Sequence, residues 1–202
     1  MAPLLLCGFG TVFVLLRITS SDVDLVPDSI GLLLYAYGLW RLAGNRAVLL
    51  AASTLAGVAS VLALSFFAPD WLHGTGKDAR DVCYGVAVAG CLGLGAWGLR
   101  ARARAAEDDG VGRQLFVIAL AQGLVAAVLV AGYAINGSDH DRAVAIIGSA
   151  SVLGLLATVW YAVLLMACAN RAWAQPTGIP TTEGADNTPD GGVLRPRQRA
   201  RR

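Results

Sequence analysis

Three aspartates and one arginine are the residues in this chain best placed to do chemistry. Asp22, Asp24 and Asp28 lie in DVDLVPDSIG, just ahead of the apolar run LLLYAYGLWRLA, and Arg17 closes the apolar run before them. Carboxylates at the end of an apolar segment bind cations, pair with a basic side chain or cap a helix. Pro27-Asp28 reads as a helix start, because proline suits the first turn and aspartate is a preferred N-cap. As a cap, Asp28 accepts from the amides of Ile30 and Gly31, and its charge meets the positive helix end. As a ligand, it forms an outward-facing polar site with Arg17 and Asp24. Arg17 either pairs with Asp22, Asp24 or Asp28, or reaches to the membrane interface.

Other combinations are sparse. His73 and His140 share the outward loops with eight aspartates, and imidazole and carboxylate are suitable ligands for divalent ions. Their spacing matches no metal motif, so solvated loops and no metal are expected. Cys7, Cys83, Cys91 and Cys168 all fall in apolar blocks with no Cys-x-x-Cys pair, which predicts small buried residues and no disulfide framework. There is no Gly-x-Ser-x-Gly, no His-Glu-x-x-His and no Gly-Lys-Ser/Thr phosphate loop. The glycines of Gly90–Gly98 sit inside an apolar helix, and Asn136-Gly-Ser matches only the short glycosylation pattern. Apart from Arg17, Asp28 and Arg41 at block ends, the blocks carry only Ser, Thr and Gln122. Buried charges mark proton relays, so their absence weighs against a proton-coupled pump. Gln122 is expected to link helices. Neither an enzymatic activity nor a cofactor is expected.

The elements that must position these residues are apolar helices. Hydrophobic residues make up 56% of the 202 residues and charged ones 15%, with a mean hydropathy of +0.60. Soluble domains are nearer one quarter charged. The excess is gathered in continuous runs, and about 20 apolar residues cross a bilayer as a helix. Six spans are predicted, at about 3–18, 25–42, 47–68, 82–99, 115–135 and 144–169, within a transmembrane domain of 1–173. The second is the weakest, because its apolar core is only Ile30–Leu42 and reaches membrane length only if Leu25 and Val26 dip into the interface; such a helix must thin the bilayer, draw in its flanks or be re-entrant. No basic residue precedes Pro3–Leu16 and no Ala-x-Ala site follows it, so this run is expected to be the first span and not a signal peptide.

Loop charges set the orientation. Twelve of the 16 Lys and Arg fall in segments 41–46, 100–114 and 171–202, which places both termini in the cytoplasm. The outward loops, 19–29, 69–81 and 136–143, hold the eight aspartates and few basic residues. Trp40, Trp71, Trp160, Tyr161 and Trp173 lie toward block ends, where such rings favour the headgroup level. Gly31, Leu34, Tyr35, Gly38 and Leu42 share one helix face, with gaps on either side of a tyrosine. Gly85, Ala89 and Gly93 share another, which serves either ordinary packing or a dimer seam.

The stretch Asp24-Leu25-Val26-Pro27-Asp28-Ser29-Ile30-Gly31, followed by LLLYAYGLWRLA, resembles a group of small bacterial multi-pass membrane proteins of unknown function. In that group Asp-x-x-Pro-Asp-x-x-Gly begins the second membrane helix. The likeness covers about 20 residues, and Ser29 stands where a bulky apolar residue is expected. It implies a bacterial membrane protein and no activity.

Residues 174–202 are polar and rich in Pro and Gly, then end in RPRQRARR. Such a segment buries too little surface to fold and reads as a disordered cytoplasmic tail. Arg195, Arg197, Arg199, Arg201 and Arg202 either bind anionic lipid or only help fix topology. The fold expected is therefore an all-α polytopic membrane bundle of about six helices in a bacterial inner membrane. The role placed first is a structural or interaction protein, with the bilayer, anionic lipid, a second copy or another membrane protein as partner, and no nucleic acid. The role placed second is a small-solute or cation transporter or sensor that uses the acidic cluster around Asp28.

Overall fold

A computed structural model describes residues 2–16, 19–20, 23–24, 28–64, 77–135 and 140–176. The fold is all-α. Six helices run in the order α1 (Pro3–Leu15), α2 (Asp28–Ala43), α3 (Ala47–Leu64), α4 (Lys77–Ala105), α5 (Asp109–Ile135) and α6 (His140–Ala167), followed by a 3-10 turn at Ala172–Ala174. The α1–α2 connection carries a minimal antiparallel ladder of β1 (Thr19–Ser20) and β2 (Val23–Asp24), with Thr19 opposite Asp24. The sequence reading treats that segment only as an acidic loop.

Each helix packs on the next, and α6 returns to α1, so the bundle is a closed ring. The starts of α2, α4 and α6 gather at the Asp28 end. Their ends gather at the opposite, Arg102 end. Among the described residues, four segments are long and apolar enough to cross a membrane: Ala47–Leu64, Ala79–Ala105, Asp109–Ile135 and Arg142–Ala167. α1 is apolar but 13 residues long, and α2 has 16. At 1.5 Å per residue they rise about 20 Å and 24 Å, short of a hydrocarbon core of about 30 Å.

Three helices outrun their apolar runs. α4 starts at Lys77 and ends at Ala105, five residues before and six after the 82–99 block; α5 starts at Asp109 instead of 115, and α6 at His140 instead of 144. Hydropathy marks only the part of a helix that avoids water, while Ala and Arg continue a helix past it. The α4–α5 connection is consequently a tight turn. Glu107 adopts a left-handed φ of 60°, the Glu107 amide bonds to the Arg104 carbonyl at 3.1 Å, and the Asp108 amide reaches back to Ala103 at 2.9 Å. This is a Schellman closure with glutamate at the position usually held by glycine.

Small residues bring the helices together. A Cβ on Gly31 would stand 2.7 Å from the Gly10 carbonyl, and one on Gly38 2.7 Å from the Pro3 carbonyl. The glycine face of α2 therefore lies directly on the α1 backbone, as its spacing predicts. On α3 the inward residues are Ala52, Ala56, Ala59 and Ala63. Ser53 and Ser60 bond across to the α2 carbonyls of Ala36 and Ser29 at 2.8 and 3.0 Å. The Gly85 and Gly93 positions of α4 face α5, against Leu129 and Gln122, so this face is an intramolecular seam and not a dimer seam.

The outward faces are as apolar as the interior. Val61 is 67% exposed, and Leu156, Val163 and Trp40 are comparably open. A continuous apolar exterior is unstable in water and suits lipid. Trp40 and Trp160 point outward, in keeping with an interfacial role, but Tyr161 is fully buried at the bundle centre. Cys7, Cys91 and Cys168 are buried as expected, whereas Cys83 is exposed, because it lies on the outward side of α4; all four are free thiols.

Candidate functional site

Asp28, in the first turn of α2, is buried, and its Oδ2 accepts a 2.7 Å hydrogen bond from the Tyr84 hydroxyl of α4. The pair stands beside a cavity of about 250 Å³ that enters the ring at the Asp28 end. Its polar lining is Asp28, Tyr84, Ser151, Gln122 and Thr158, contributed by α2, α4, α5 and α6. The remaining wall is apolar, from residues such as Val88 and Leu129. From Ser151 to Thr158 is seven residues, so the cavity runs about 10 Å into the bundle.

The floor is a polar pair in an apolar setting. Gln122 Nε2 donates to Thr158 Oγ1 at 2.9 Å, and the Thr158 hydroxyl donates to the Gly154 carbonyl at 2.6 Å. Gln122 thus links α5 to α6, as expected. Gly85 and Gly154 keep the wall free of side chains.

One turn deeper the ring is shut. The hydroxyls of Tyr35 (α2) and Tyr161 (α6) meet at 3.0 Å, their rings packed edge to face at 6.2 Å. Tyr35 also donates to the Cys91 carbonyl at 3.4 Å. Gly95 of α4 lies against both hydroxyls, close enough that no Cβ fits. Among the described residues, this buried tyrosine pair closes the centre of the ring beneath the cavity.

The opposite end is tied by Arg102. The sequence reading puts this residue in a loop, but it lies in the last turn of α4 and is only 7% exposed. Its guanidinium donates from Nε to the Trp173 carbonyl at 2.9 Å, from one NH2 group to Gln175 at 2.8 Å, and from the other to the Leu42 carbonyl at the end of α2. One cation thereby satisfies carbonyls from the end of α2 and from the segment after α6. Asp108 completes the tie, accepting from Trp173 Nε1 at 3.3 Å and lying 3.7 Å from the Arg171 guanidinium.

Of the candidate residues, Asp28 lines the cavity. Asp24 lies in β2, and only its backbone is described. Arg17, His73, Trp71 and the five tail arginines fall outside the described residues; the tail expected to be disordered over 174–202 begins instead with Ala174 buried in the 3-10 turn and Gln175 held by Arg102, and residues 177–202 lie outside the described residues; His140 begins α6 with its side chain not described. Among the described residues no group of three His, Cys, Asp or Glu could hold a metal. The reading from sequence passed over Tyr84, Ser151 and Thr158. Their signal was present: one tyrosine in a Gly/Ala/Val helix, and Ser151, Gly154 and Thr158 at helical spacing on α6.

The fold and the cavity together define an apolar helical bundle of the membrane type with a polar-floored pocket. No family model, curated protein or solved structure matches the chain.

Proposed function

We propose that the protein is a multi-pass protein of the bacterial cytoplasmic membrane that binds a small solute in the Asp28 cavity. The solute class is a cation, or a compact molecule with a cationic or hydrogen-bond-donating end and an apolar body. The observation that carries this reading is the convergence of Asp28, Tyr84, Gln122 and Thr158 on one cavity. Binding sites of this kind are mostly apolar with a few placed polar groups. Here the carboxylate sits at the mouth and the Gln–Thr pair on the floor. The closed Tyr35–Tyr161 level beneath suits a sensor, or one state of a transporter in which the solute waits on one side. The bias of Lys and Arg toward one set of segments supports an orientation with the cavity mouth outside and both termini in the cytoplasm, and the Asp-x-x-Pro-Asp-x-x-Gly likeness supports a bacterial membrane.

A thermal-shift screen in detergent tests the reading, with monovalent and divalent cations and small amines as probes. A ligand at about 100 times its Kd stabilises by about 2.7 kcal/mol, or roughly 5–10 °C for a chain of this size. The shift is expected in the wild type and lost in Asp28→Asn. A screen with no saturable shift, or a shift equal in both proteins, overturns it.

A second reading, a structural or interaction protein, is favoured by the outer face of α2. There Tyr37 and Trp40 lie 6.0 Å apart, and Leu33 is exposed beside them, as a surface for another membrane protein or a second copy.

A further inference from the structure

A second cavity, about 320 Å³ in volume, lies on the outside of the bundle between α4 and α5. Gly93, Leu94, Trp97, Leu120 and Gly123 line it, with scarcely any polar surface. It runs from mid-helix toward the Arg102 end. Ala89 to Trp97, the span of its α4 wall, rises about 12 Å, most of one leaflet's share of a hydrocarbon core of about 30 Å. The glycines make it a groove: a Cβ built on Gly123 meets nothing within 4 Å.

Arg100 stands at the groove's end. Its guanidinium carbon lies 4.7 Å from the Trp97 ring centre and 4.2 Å from that of Phe116, and these rings are 5.9 Å apart. Its Nε is buried with no hydrogen-bond partner, and among the described residues no carboxylate or carbonyl accepts from its guanidinium. The aromatic contacts hold the cation in place without neutralising it. The same end carries Arg41, Arg46, Arg104, Arg113 and Arg171 against Glu107, Asp108 and Asp109, and Asp108 is already engaged.

We infer that the α4–α5 groove is a binding site for one anionic phospholipid, with an acyl chain along Gly93, Leu94 and Gly123 and the phosphate at Arg100. The apolar groove faces the space a bilayer would fill. The charge at its end is opposite to a phosphodiester, and basic sites of this kind at helix ends recognise anionic headgroups. Nothing in this inference depends on the Asp28 cavity or on the arginine tail.

Native mass spectrometry of the full-length protein, extracted from bilayers of equal phosphatidylglycerol and phosphatidylcholine, tests it. The wild type is expected to retain one phosphatidylglycerol with a roughly fivefold preference, the ratio that about 1 kcal/mol from one cation beside a net anionic headgroup gives, because in phosphatidylcholine the choline ammonium offsets the phosphate charge. Arg100→Gln is expected to remove the preference, and Gly123→Leu, which fills the open groove, to remove retention of either lipid. Gly57→Leu, at another position open for at least 4 Å, serves as the folding and crowding control and is expected to behave as wild type. Equal retention of the two lipids by the wild type, a preference that survives Arg100→Gln, or retention that survives Gly123→Leu overturns the inference.

Discussion

Arg102→Met removes the tie at the base of the ring and gives the most calculable effect. Arg102 makes three hydrogen bonds to the carbonyls of Leu42, Trp173 and Gln175. Hydrogen bonds to charged groups contribute about 1.5–3 kcal/mol each, so roughly 4–9 kcal/mol of interaction is lost. Removing the buried cation returns several kcal/mol of desolvation, and methionine keeps the packing of the stem. The net loss is about 2–4 kcal/mol. At roughly 2–4 °C per kcal/mol for this length, the apparent Tm should fall by about 5–15 °C. Arg102→Lys is expected to do no better, because an ammonium cannot reproduce the planar fork that reaches all three carbonyls. Intrinsic tryptophan fluorescence in detergent reads the melting. Limited trypsin digestion reads the local effect, since cleavage after Arg171 should speed up once the segment after α6 is released. A Tm within 2 °C of wild type, with unchanged cleavage at Arg171, would refute the reasoning.

Three further outcomes follow from the packing. Glu107→Gly should raise the apparent Tm by about 2–4 °C in the same melting assay, because a left-handed residue with a side chain costs about 1 kcal/mol. Gly10→Ala should abolish a monodisperse peak in size-exclusion chromatography, since its Cβ would press on the Gly31 carbonyl, whereas Gly57→Ala should be neutral or slightly stabilising. Gln122→Leu should cost only about 0.6 kcal/mol, the usual value for a hydrogen bond between membrane helices, visible as a Tm loss of about 1–3 °C.

The helices were legible in the sequence because lipid demands long apolar runs, and the glycine face of Gly31 and Gly38 was legible because close backbone approach demands glycine at helical spacing. What faces inward was harder to read. In water an apolar stripe marks the core. Here Val61 and Leu156, which face outward, are as apolar as Leu39 and Leu49, which face inward, so periodicity separates nothing. Polar residues then carry the information, and Gln122 was read correctly on that ground. Arg102 defeated the rule, because a charged residue near a helix end normally reaches to water, and its acceptors are supplied only by the three-dimensional meeting of residues 173–175 with the end of α2. Asp28 was singled out as cap or ligand. Its hydroxyl partner Tyr84 lies 56 residues away in the chain, a pairing that depends on how α2 and α4 meet across the ring.

The most direct measurement of the central claim is thiol labelling of Thr158→Cys, at the cavity floor, in a Cys83→Ser background. The three remaining native cysteines, Cys7, Cys91 and Cys168, are buried. A small, membrane-impermeant thiol reagent applied outside intact spheroplasts should modify Thr158→Cys, and the solute found in the thermal-shift screen should slow the reaction. No labelling at Thr158→Cys, in cells where the same reagent reaches the exposed Cys83 of the wild type, would contradict an outward-open binding cavity.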